Sequence, residues 1–165
     1  MKTTLATLLA AAAAALSLGT ATPVDAADFS TPARAAAPAA DKLSAARALL
    51  ANKQWAAAVE ELRRVDDPRS ADWNNLMGYS LRKTKTPDLA AAERHYDEAL
   101  RIDPKHRNAL EYSGELFLMK GELDKAEARL ATLAAVCSVQ CEQHAELKTA
   151  IANYKAAGNK FVANW

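Results

Sequence analysis

The feature that most restricts this chain is a period. Trp55, Leu89 and Leu123 are spaced by 34 residues, as are Ala58, Ala92 and Ala126, and again Leu62, Tyr96 and Leu130. In each unit the three residues fall at i, i+3 and i+7, the buried stripe of an amphipathic helix, with alanine where a neighbouring helix must come close. One such helix cannot bury its stripe alone, so copies at a fixed interval have to stack on one another.

A second helix precedes each of these. Ala46, Gly78 and Gly114 align, as do Leu49, Leu81 and Phe117, at spacings of 32 and then 36 residues. The irregularity has one source: the stretch from Leu81 to Tyr96 is two residues longer than its counterparts, which places an insertion in the turn around Thr84 to Pro87. The connection around Asp66 to Ser70 is shorter by the same amount. Length changes in turns cost little. Only five glycines and six prolines occur in 165 residues, so helices joined by short turns are favoured over a strand-rich fold.

Helix, turn and helix with a 34-residue period resembles the tetratricopeptide repeat. The middle unit carries Trp73, Leu76-Met77-Gly78, Ala92, Tyr96, Ala99 and Ile102-Asp103-Pro104, close to the family's pattern. The third carries Gly114, Phe117, Gly121, Ala126 and Leu130. The first departs from it, matching mainly at Trp55, Ala58 and Leu62, with Pro68 arriving early. The resemblance covers residues 41–140, in units of about 41–70, 71–106 and 107–140. It implies an all-α fold, a right-handed superhelix of about three helix-turn-helix repeats. Leu147, Ile151 and Tyr154 then mark a C-terminal capping helix within 141–165 that Gly158 ends. The apolar tail, with Phe161, Val162 and Trp165, either folds back on the module or forms a docking point.

The opening residues read as an address. Lys2, an apolar run from Leu5 to Leu18 and the small-residue site Val24-Asp25-Ala26 predict a signal peptide over 1–26. An Ala/Pro-rich linker follows over 27–40, with Pro32 and Pro38 opposing helix. Fourteen apolar residues are too few to span roughly 30 Å of hydrocarbon. The expectation is an exported, periplasmic bacterial protein with no integral membrane segment after processing.

Lysines and arginines number 21 against 20 acids, which points away from nucleic acid. The sequence has no glycine-rich phosphate loop, nucleophile elbow or two-histidine metal helix, so neither catalysis nor a cofactor is expected. His95, His106 and His144 are scattered, and Glu60-Glu61 and Asp66-Asp67 read as solvated acids. Cys137 and Cys141 are the only cysteines. After export they are expected to pair as a disulfide. Free thiols, or a soft-metal site with His144 as a third ligand, are the alternatives, and would make the chain a thiol or metal accessory protein.

The resemblance also implies where a protein or peptide partner binds, because the family's first helices line a concave groove. Asn75, Tyr79 and Arg82 share one face of the middle unit's first helix, and Glu111, Glu115 and Leu118 repeat that spacing in the third. Arg47 and Leu50 hold the matching face of the first. This mixed lining departs from relatives that clamp a terminal carboxylate with lysines and asparagines, so that specificity is not expected here. The function expected is a scaffold or adaptor.

Overall fold

The computed structural model describes residues 41–137 and 141–162, all within a compact unit spanning Ala39–Trp165. The signal segment, the linker, residues 138–140 and Trp165 lie outside the described residues. The described part is all-helical: α1 Ser44–Ala51, α2 Trp55–Val65, α3 Ala71–Lys83, α4 Leu89–Ile102, α5 Arg107–Lys120, α6 Leu123–Val136 and α7 Glu142–Ala156.

Helix starts are set by local chemistry. Ser70 accepts from the Trp73 amide at 3.2 Å, and Asp88 from Ala91 at 2.9 Å, each satisfying one amide that the first helical turn leaves open. His106 caps α5 through Nδ1, which accepts from the Ala109 amide at 3.1 Å. An accepting Nδ1 leaves the proton on Nε2, which donates to Asp72 at 2.9 Å, so the cap of α5 is tied to the first turn of α3. The inserted turn after Lys83 is held by the Thr84 hydroxyl, which donates to the Leu81 carbonyl at 3.1 Å.

Each helix packs on the next. In addition α1 packs on α3, α3 on α5 and α5 on α7, whereas the backbones of α2, α4 and α6 stand apart among the described residues, α4 and α6 meeting through the Arg129–Asp97 ion pair at 3.1 Å. Two layers result, with α1, α3, α5 and α7 forming the continuous one. The repeat pattern of small residues explains the close approach. A Cβ on Gly78 would stand 2.9 Å from Tyr96 Cε1 and 3.0 Å from the Ala92 carbonyl oxygen, and one on Gly114 would stand 2.6 Å from Leu147 Cδ2.

Of the stripes read from the 34-residue period, Ala58, Leu62, Ala92, Tyr96 and Ala126 are buried, whereas Trp55, Leu89, Leu123 and Leu130 are half-buried. Ala92, Tyr96, Ala99, Ala126 and Leu133 are buried together with Leu110, Leu116 and Phe117 in one cluster, into which Leu147, Ile151 and Tyr154 of α7 insert. A second cluster joins Leu43, Ala46, Val59 and Leu62 to Trp73, Leu76 and Met77. Leu81 packs against both. The Trp73 indole donates to the Leu62 carbonyl at 2.8 Å, a buried bond that fixes α3 on the end of α2.

Candidate partner groove

The continuous layer presents two recesses. The upper one, about 320 Å³, is formed by Arg47 and Leu50 of α1, Asn75 and Tyr79 of α3, and Asn108 and Tyr112 of α5. The lower one, about 340 Å³, lies between Lys83, Glu115, Ala150, Asn153 and the tail residues Phe161 and Val162. Of the groove residues named from sequence, the structure therefore gathers Arg47, Leu50, Asn75 and Tyr79 at one site and places Glu115 at the other.

The remaining three are set deeper. Leu118 belongs to the main core cluster. Arg82 is fully buried, with Nη2 2.6 Å from Glu115 Oε2. Its guanidinium lies 5.6 Å from the Tyr79 ring centre and 5.8 Å from that of Tyr112. Burial opposes its charge, but Tyr96 and Glu115 hold its pKa above the usual guanidinium range. Arg82 thus stands beneath the tyrosines as a charged strut, and Glu115 supplies its counter-charge.

Glu111 is also buried. Burial, with Glu146 of α7 beside it, pushes its carboxyl up to about 9. The neutral acid is therefore the form this site favours at neutral pH. Because the folded-state value lies above the ordinary 4.5, stability from the neutral form is fully present below that value and is lost as pH rises through about 9. Glu111→Gln is expected to match the natural chain in stability near pH 4 and exceed it by roughly 2 kcal/mol at pH 9.5. Urea unfolding at both pH values checks this, and an equal difference at the two would remove Glu111 as the titrating group.

The aromatic lining is continuous. Tyr79 and Tyr112 ring centres are 4.5 Å apart, and Trp55 meets Tyr79 edge-on at 5.8 Å. Lys83 lies over both Trp55 and Tyr79, and burial together with the charge of Arg82 lowers its pKa to about 8. Asn75 is 2% exposed, yet its Oδ1 has no hydrogen-bond partner among the described residues. A buried acceptor left open in a lined recess is a place for an incoming donor.

Sequence reasoning missed Tyr112, Asn108, Lys83 and the α7 wall. A signal for the first two exists: Asn108 and Tyr112 repeat the spacing of Asn75 and Tyr79. For α7, the register Gly78 and Gly114 continues at 36 residues to Ala150, so this helix takes the place of the first helix of a further repeat.

The sulfurs of Cys137 and Cys141 lie 1.99 Å apart, at disulfide distance, between the end of α6 and the start of α7. His144 and the cysteines form no metal-holding group: among the described residues no three His, Cys, Asp or Glu side chains are so placed. No helix of the described residues is long and apolar enough to cross a membrane.

Stacked helix pairs with a continuous layer of α1, α3, α5 and α7 make a helical-repeat module. Residues 87–151 match the family model of the tetratricopeptide repeat. The matched segment runs from the turn before α4 into α7, in keeping with the place of α7 in the inner layer. Comparison with curated proteins gives no match.

Proposed function

We propose that this chain is an exported, periplasmic adaptor that catalyses nothing and holds a segment of a partner protein against α1, α3 and α5. The observation that carries this reading is the upper recess. It combines an aromatic pair, Tyr79 and Tyr112, with an unpartnered buried acceptor on Asn75 and a cation on Arg47. Aromatic rings and arginine supply large contact area with directed bonds, and residues of this kind dominate binding energies. A peptide amide can donate to Asn75 Oδ1 while its side chains pack on the tyrosines. Arg82 and Glu115 serve this surface from below, by fixing the rings.

The test is capture from a cell-envelope extract by the mature protein, compared with a variant carrying Tyr79→Ala and Asn75→Ala. The variant is expected to keep its helical content and bind the captured protein about thirtyfold more weakly, corresponding to about 2 kcal/mol. Equal capture by the folded variant would overturn the assignment.

Export is supported by the apolar run and the site at Ala26, and the nearby pairing of the cysteines accords with an oxidising compartment. The mass of the exported form after alkylation without reduction is expected to be that of a chain beginning near Ala27 with no thiol labelled. Two labelled thiols would favour the thiol-chemistry reading instead.

A further inference from the structure

The tail beyond α7 turns back on the module. α7 ends at Ala156, and Gly158 and Asn159 follow with φ of 70° and 60°. The Gly158 amide donates to the Lys155 carbonyl and the Asn159 amide to that of Tyr154, both at 3.0 Å, which closes the helix end and reverses the chain. Two consecutive left-handed residues, one of them an asparagine, which tolerates that region better than most side chains do, aim the next residues at the groove. Phe161 then packs against the main core cluster, half-buried. It lines the lower recess with Lys83 of α3, Glu115 of α5, and Ala150 and Asn153 of α7. Val162 beside it is 65% exposed.

The tail therefore seats an aromatic side chain at the end of the surface that the adaptor reading assigns to the partner. Its hold is shallow. Phe161 is half-buried, Val162 is 65% exposed, and about 340 Å³ of open space remains beside the tail. A partner segment running from the upper recess along α3 and α5 reaches Lys83 and Glu115 and meets the tail there.

We propose that the face of α3, α5 and α7 at the lower recess is a binding site for an extended peptide of the form lysine, aromatic, aliphatic, and that Lys160-Phe161-Val162, which line that recess, cover the face in cis as a displaceable internal ligand. This inference rests on the adaptor reading for its biological sense, but its chemistry is that of the tail itself. The recess brings Ala150 and Tyr154 of α7 together with Lys83 of α3 and Glu115 of α5. The Phe161 ring covers part of this face, and Val162 lies at its edge. A partner with this sequence competes with the tail, so the tail sets a threshold on binding without touching the upper recess.

A fluorescein-labelled peptide with the sequence of residues 157–165 is the probe, read by fluorescence anisotropy. It is expected to bind a chain ending at Gly158, and a full chain carrying Phe161→Asp, at least tenfold more tightly than the intact chain. The peptide carrying Phe161→Ala is expected to bind both open proteins at least tenfold more weakly than the natural one. Equal binding to intact and open proteins, or no binding by an open protein of unchanged helical content, overturns the proposal. So does loss of helical content in both open proteins, which makes Phe161 a packing residue. The capture experiment at Tyr79 and Asn75 probes the other recess, so the adaptor reading and the internal ligand fail separately.

Discussion

Gly114→Val is expected to be the most damaging single change on the α5 face, costing about 3 kcal/mol and loosening α7 before the rest of the module. A Cβ at this position would stand 2.6 and 2.7 Å from the two Cδ atoms of Leu147 and 3.2 Å from its Cγ. Leu147 is fully buried and cannot swing into solvent, so relief comes only from moving α7 away from α5. Ile151 and Tyr154 would lose their seats in the same movement, since they join that cluster from the same helix. Because stacked repeats touch only their neighbours, the damage should spread weakly toward α1. Hydrogen exchange is expected to show early opening of α7, with protection in α2 and α3 near that of the natural chain. A second change, Leu147→Ala, empties the space into which the valine pushes, so the pair should cost less than the sum of the two alone. Strict additivity would show that the contact is not the cause.

Glu115→Ala carries the second large effect, about 3 kcal/mol or more. It removes the carboxylate at 2.6 Å from Arg82 and leaves a fully buried guanidinium with neutral neighbours, Tyr96, the Met119 sulfur at 4.0 Å and the faces of Tyr79 and Tyr112. Arg82→Met keeps much of the volume and removes the charge with its desolvation cost, so it is expected to cost about 1 kcal/mol. Adding Arg82→Met to Glu115→Ala should recover part of the loss. Denaturant unfolding of the three variants checks the order. If Glu115→Ala costs less than Arg82→Met, the strut does not work as described. On the proposed adaptor reading Arg82 serves binding through the tyrosines above it, so its loss should broaden the environment of Tyr79 and Tyr112 more than it removes a direct contact.

The period was enough to expect stacked helix pairs, because the 34-residue interval and the stripe at i, i+3 and i+7 are properties of the chain's own neighbours in sequence. The same arithmetic put Tyr96, Ala92 and Ala126 in the core, where they are fully buried. It also placed the insertion at Thr84 to Pro87, between α3 and α4. Residues 87–151, which match the tetratricopeptide-repeat model, hold the second and third of these stripes.

Tertiary structure decided how deep each groove residue sits. Asn75, Tyr79 and Arg82 share one helical face by spacing, but seven residues do not complete two whole turns at 3.6 per turn, so Arg82 falls to one side of the line. The approach of α5 closes over that side, sealing Arg82 under Tyr79 and Tyr112, whereas Lys83, four residues after Tyr79, opens to the lower recess. Leu118 is buried for a related reason, because α7 lies along α5. The sequence by itself determined which residues repeat and which helices pair, since both follow from local spacing. Which of two adjacent side chains faces a partner depends on where neighbouring helices come to rest, and only packing between residues distant in the chain settles that.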